Sequence, residues 1–293
     1  MDNRGGEIGR NPDFIAFLER RGNMEIKKIL EKSDELFAKG KSKEACDYLE
    51  NSLKTAHSES DWASQLTILN ELMGYYRSIS HLDQAWEYAY EALEIVMQHK
   101  LDETLAGMTT YLNIANIYRA SGQVDKAMEL YLQVEKVYKR ENLEVDYRLG
   151  GLYNNMSVAS LEAGRLQDAV KYGEQAVKVL EQVPNSADER ATVYGNLAGA
   201  FLRVEQPDFE RVQSYLDQAV ELFEKECDNS PHYCGVLAMK AYTAYLSKDL
   251  EGSLAMYEKA MKETKKHYGE NSDYKRLVEN YNAIRRKLEN GTK

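Results

Sequence analysis

The chain has 293 residues, 43% hydrophobic and 29% charged, which is enough apolar content to bury a core and excludes an intrinsically disordered chain. Lys and Arg number 38 against 48 Asp and Glu, for a net charge of −10, so neither a nucleic-acid backbone nor an anionic membrane is an expected partner. No run approaches the roughly 18 apolar residues of a membrane span, and three cysteines, Cys46, Cys227 and Cys234, are too few for a disulfide framework and suit a reducing compartment. The first residues, MDNRGGEIGRNPDF, are polar and lack the apolar stretch of a signal peptide. A cytoplasmic protein is expected. Only 4 prolines and 18 glycines interrupt the chain, which leaves long stretches free for helix.

In chain order, residues 1–24 are predicted as a tail with one short helix. Within it Phe14–Arg20 (FIAFLER) is amphipathic, and two readings fit: it folds onto the first repeat, or it binds elsewhere. From residue 25 a phrase of large and small side chains returns. Its first, weaker copy is Ile29, Ser33, Leu36, Gly40, Ala45, Leu49 and Ser52. The second reads Leu69, Leu72, Met73 and Tyr76, then Ala85, Ala89 and Ala92. The clearest is Tyr111, Ile114, Ala115 and Tyr118, then Gly122, Ala127 and Tyr131. Tyr153, Met156, Ser157, Gly164, Ala169 and Ala176 follow, and then Tyr194, Leu197, Ala198, Phe201, Leu216 and Ala219. A last weak copy holds Leu237, Ala241, Ala244, Ser253, Tyr257 and Ala260, with Lys240 at a position that should be apolar. The small residue of the second helix in each copy (Ala45, Ala85, Ala127, Ala169, Val212 and Ser253) recurs at spacings of 40, 42, 42, 43 and 41.

Each copy predicts a helix hairpin, near 25–56, 62–99, 103–140, 147–181, 188–226 and 232–267, within repeats near 25–60, 61–101, 102–144, 145–185, 186–229 and 230–269. A seventh element over 272–289 should cap the stack, with Asn271 or Ser272 as its N-cap. Gly40, Gly122 and Gly164 are placed to end first helices by taking positive φ. Small residues at matched positions would let the two helices of a hairpin approach closely.

The phrase resembles the tetratricopeptide repeat, with a period of about 42 rather than 34 residues and mostly without its closing proline. In this it is similar to the stretched repeats of kinesin light chains and of bacterial Rap-type peptide sensors. The resemblance implies an all-α, right-handed α-solenoid of about six hairpins plus a capping helix, spanning residues 25–293. It also implies a concave groove lined by the first helix of each hairpin.

At about 100° per residue, the side of those helices opposite the core carries Asn70 and Arg77, then Thr109, Asn113, Asn116 and Arg119. It continues with Asn154 and Asn155, Asn196 and Arg203, and in the last repeat Met239, Tyr242 and Tyr245. Asparagine competes with the helix backbone and is a poor interior residue, so its return at matched positions needs a reason. One is that the amides are solvated in the free protein and pair with the backbone of an extended peptide, as the resemblance implies. The other is that they cap helices or pair with one another. The other tyrosines read as core. Thr109, Gly151 and Thr192 stand where a strict carboxylate clamp wants cations, which argues against chaperone-tail capture.

Chemistry is poorly represented. There is no phosphate-cradling glycine loop, no HExxH and no nucleophile elbow, and the five histidines are scattered. Cys227, His232 and Cys234 share one loop but lack a fourth ligand and paired spacing. Residues 1–24 are too short for the N-terminal bundle or helix-turn-helix of Rap-like relatives. No catalytic residue, metal or cofactor is expected. The expected function is a non-enzymatic scaffold that binds a protein or peptide through Asn70, Arg77, Asn113, Asn116, Arg119, Asn154, Asn155, Asn196, Arg203 and Tyr242. The alternative is a peptide-responsive sensor of the Rap-like kind. A homodimer is compatible with the sequence, which names no partner.

Overall fold

A computed structural model describes residues 25–227 and 229–291. The expected N-terminal tail and the helix at Phe14–Arg20 lie outside the described residues. Among those described, 80% are helical in thirteen helices and none is in a strand. They are α1 (Ile26–Ala38), α2 (Ser42–Ser58), α3 (Trp62–Ser78), α4 (Leu82–Gln98), α5 (Leu105–Ala120), α6 (Val124–Arg140), α7 (Tyr147–Glu162), α8 (Leu166–Leu180), α9 (Ala187–Phe201), α10 (Phe209–Lys225), α11 (Tyr233–Leu246), α12 (Leu250–Tyr268) and α13 (Ser272–Gly291). No described helix is long and apolar enough to cross a membrane. The long period comes from long helices, since α2, α3, α4 and α6 each have 17 residues.

The chain divides into two compact units, residues 1–144 and 145–293. In the first, the described part is three hairpins, α1/α2, α3/α4 and α5/α6; α2 packs on α3, α4 on α5, and first helix α3 also touches first helix α5. In the second, α7/α8, α9/α10 and α11/α12 stack in the same way, with first-helix contacts α7–α9 and α9–α11, and α13 closes against α12. The fold is that of a tetratricopeptide-type helical solenoid. Asn271 caps α13, its Oδ1 accepting from the Tyr274 N–H at 2.9 Å.

The hairpins close on small residues. Ala45, Ala85, Ala127, Ala169, Val212 and Ser253 are all fully buried, as are Ala115, Ala198 and Ala241 of the facing first helices. At two of the positions where serine stands in for alanine it bonds across the hairpin, whereas Ser33 donates to the Leu30 carbonyl of its own helix. The Ser157 hydroxyl donates to the Ala169 carbonyl at 2.6 Å, and that of Ser253 to the Ala241 carbonyl at 2.8 Å. Each buried hydroxyl is thereby satisfied at a spot too narrow for a larger side chain.

One turn type repeats. After α1, α5 and α7, Gly40, Gly122 and Gly164 take φ of 70°, 75° and 73°. The next N–H then reaches back five residues, as Gln123 to the Tyr118 carbonyl at 2.9 Å, which is the Schellman closure. The same closure follows α3 at Ser80 and α11 at Lys248, and it ends second helices at Ser60, Lys100 and Asn142, all at positive φ. Glycine was the visible part of this pattern. Serine and lysine take the same conformation within the same backbone closure, at a local cost of roughly 1–2 kcal/mol each. A separate constraint holds Gly107 in the first turn of α5, where a Cβ would lie 2.1 Å from the Leu101 carbonyl oxygen.

Lys240, the polar intruder in the last repeat, is accommodated by an ion pair with Asp217 on α10. Asp61, Thr104, Asp146, Asp208 and Asp249 cap five helices through their side chains, worth about 1 kcal/mol apiece.

Ala115→Leu or Ala127→Leu should destabilise the protein by about 1–3 kcal/mol or more, because the hairpin has no space for three added carbons. Thermal unfolding followed by circular dichroism measures this. An exposed control such as Glu129→Leu should shift the midpoint little.

Candidate functional site

The first helices carry the candidate residues, and the structure separates them by hydrogen bonding. Asn70 on α3 is buried and donates to the Leu66 carbonyl at 2.8 Å and to the Thr110 hydroxyl at 3.1 Å. Its Oδ1 accepts from Asn113 Nδ2, on α5, at 2.9 Å. In the second unit Asn196 Nδ2 on α9 donates to Asn154 Oδ1 on α7, also at 2.9 Å. One rule covers both pairs. The sixth signature position of a repeat donates to the fifth position of the repeat before it, across the contact between successive first helices.

The expectation that these amides are solvated in the free protein therefore fails for Asn113, which is 8% exposed. A helical wheel treats each helix alone. The first-helix contact α3–α5 covers the side of Asn113 that the wheel leaves open. Asn116 is also buried and turns toward its own hairpin, where its Oδ1 accepts from the Tyr131 hydroxyl at 2.6 Å. Arg203 does not lie on a first helix at all. α9 stops at Phe201, two residues earlier, and Arg203 stands exposed in the turn that leads to Pro207.

Asn155 differs from its counterparts. It is half-buried on α7, and its Nδ2 is shielded from solvent with no hydrogen-bond partner. The α7–α9 pair thus joins one satisfied amide couple, Asn154–Asn196, and one amide left over.

Arg77 and Arg119 are half-buried on α3 and α5. At the other end of the second unit, Tyr242 on α11 is 48% exposed. Tyr245 is covered, because Lys287 of α13 lies 4.7 Å from its ring centroid and donates to its hydroxyl. Met239 packs toward Gly199 of α9, where a Cβ would sit 3.3 Å from its methyl group.

Sequence reading passed over a polar network inside the first unit. Glu50 Oε1 on α2 accepts from the Tyr76 hydroxyl at 2.6 Å and the Tyr88 hydroxyl at 3.0 Å, with Cys46 Sγ 3.7 Å away. Burial pushes the Cys46 thiol up to about 11, against the lowering effect of the Tyr76 hydroxyl, and raises both phenols. The thiol is protonated at neutral pH and is no nucleophile. This network is a tie between α2, α3 and α4.

Among the described residues no group of three His, Cys, Asp or Glu is arranged to hold a metal ion. Burial, with Asp188 and Glu226 nearby, pushes Cys227 up to about 11, and burial raises Cys234. Two thiols and one imidazole in this loop fall short of the four ligands of a structural zinc site. The purified protein should carry well under one zinc per chain by elemental analysis.

The amide geometry yields a second expectation. Asn113→Ala strips Asn70 Oδ1 of its donor in a buried place and should cost about 1–3 kcal/mol. Asn155→Ala removes a donor that bonds to nothing and should leave the melting temperature unchanged or slightly higher, alanine being the better helix former by roughly half a kcal/mol. Thermal melts of the two variants, side by side, decide it.

Tetratricopeptide-repeat family models match residues 110–144 and 150–183. No curated protein matches the chain in sequence. Solved structures share the fold. The apo form of RapI superposes with a TM-score of 0.65 at 12% identity, covering 90% of this chain and 72% of that one. NprR in complex with its cognate peptide NprX gives 0.62 at 14%, covering 91% and 77%. A Podosopora anserina protein assigned as a kinesin light chain gives 0.56 at 21%, covering 69% and 95%.

Proposed function

We propose that this chain, which carries tetratricopeptide repeats, is a non-catalytic cytoplasmic scaffold that captures an extended peptide or partner segment along its first helices. The observation that carries the reading is the leftover amide of Asn155. The half-buried Asn155 side chain would turn its shielded Nδ2 outward to a peptide carbonyl laid along α7, replacing an unpaired donor by a bond. Asn154 and Asn196, already paired to each other at 2.9 Å, hold the neighbouring surface rigid and polar, and Tyr242 offers an exposed ring for a ligand side chain on α11. Backbone capture of this kind reads length and extension before sequence.

The test is a selection of random 12-residue peptides on the immobilised protein, with affinities of the enriched peptides then measured on variants. Asn155→Ala should weaken binding by roughly 5- to 150-fold, the range of one lost bond at 1–3 kcal/mol. It should leave stability intact. Unchanged affinity in Asn155→Ala would remove α7 from the site.

A second reading, the peptide-responsive sensor, draws on the likeness to NprR, described with its cognate peptide, and to RapI. The two readings part on shape. A sensor compacts when an enriched peptide is added, lowering the radius of gyration in small-angle scattering, and a static scaffold keeps its radius.

A further inference from the structure

α4 has a second apolar stripe that the stack does not use. Its core face is Ala85, Ala89, Ala92 and Val96, all fully buried. Trp86, Tyr90, Leu93 and Met97 also recur at helical spacing. At about 100° per residue they fall within roughly 60° of one another, immediately beside the core face. Tyr90 is 62% exposed and Met97 65%. Trp86 and Leu93 are half-buried beneath them. The shelf is fixed from below, since Trp86 packs edge-on against Tyr118 of α5 at 4.7 Å and stacks on Tyr90 at 5.7 Å.

The next sector of the helix is wholly acidic. Asp83, Glu87, Glu91 and Glu94 follow the shelf around the circumference over roughly 80°, and α4 contains no lysine or arginine. Among the described residues, Glu91 alone of the four has a basic partner, His57 of α2 at 2.9 Å.

We infer that this shelf and its acidic ridge form a docking surface for a cationic amphipathic helix of a partner protein, separate from the first-helix site proposed above. The ridge selects the occupant. A second copy of the chain laid antiparallel on α4 would set carboxylates against carboxylates, with no cation on the helix to answer them. Anionic lipid or a phosphate backbone would meet the same repulsion. A helix with leucine or phenylalanine on one face and lysine or arginine beside it would cover Tyr90 and Met97 and place its cations on Glu87 and Glu94.

The probe is an 18-residue leucine–lysine amphipathic helix carrying a fluorophore, read by anisotropy at about 0.15 M salt, with a leucine–glutamate analogue as control. The full chain should bind the lysine peptide and ignore the glutamate one. Tyr90→Ala with Met97→Ala, both on exposed side chains, should weaken binding by about tenfold or more. Glu87→Lys with Glu94→Lys should do the same. Glu205→Lys with Glu210→Lys makes an equal charge change on exposed residues of the second unit and should leave affinity within about twofold. Equal losses from both charge-reversal pairs would mean non-specific attraction to an acidic protein and would overturn the proposal. So would full binding by the Tyr90/Met97 double variant, or a dimer in sedimentation that this variant abolishes, which would make a second copy the occupant.

Discussion

The close approach of paired helices at buried small residues governs the rest of the structure. Ala45, Ala85, Ala127 and Ala169 have no exposed surface, and each lets the two helices of its hairpin pack backbone to backbone. That approach brings the first helices of successive hairpins into contact, α3 with α5 and α7 with α9. It thereby decides which side chains on those helices are neighbours. The asparagine pairs follow from the alanines. If the hairpins were wider, Asn113 would not reach Asn70, nor Asn196 reach Asn154.

Under the proposed function, the same geometry lets one face of each first helix be both structural and receptive. A pairing rule that runs from the sixth position to the fifth of the preceding repeat consumes amides wherever both positions are polar. Asn155 on α7 carries a donor that this pairing leaves unused.

Much of the fold was legible in the sequence, because size and spacing are repeated six times. The expected hairpin over 62–99 is observed at Trp62–Ser78 and Leu82–Gln98, and the capping helix at Ser272–Gly291. Local signals carried this far: alanine for close packing, glycine for the positive-φ turn, Asn271 for the cap. The failures share a cause too. Lys240 paired with Asp217, and the Glu50 network with Tyr76 and Tyr88, depend on neighbours distant in sequence. The candidate site suffered most, since burial of Asn113 and Asn116 is set by what packs over them, which a single helix cannot reveal. Arg203 was misplaced because its helix ends at Phe201, two residues before it and ahead of Pro207.

The division between paired and spare amides is open to direct observation by nitrogen-15 NMR of the asparagine side chains, free and with a selected peptide. The expected result is slow solvent exchange and unchanged shifts for the Asn113 and Asn196 amides in both states, and an Asn155 amide whose shift moves only with peptide present. An Asn155 amide that the peptide leaves unmoved, or a peptide that moves Asn113 instead, would contradict the division.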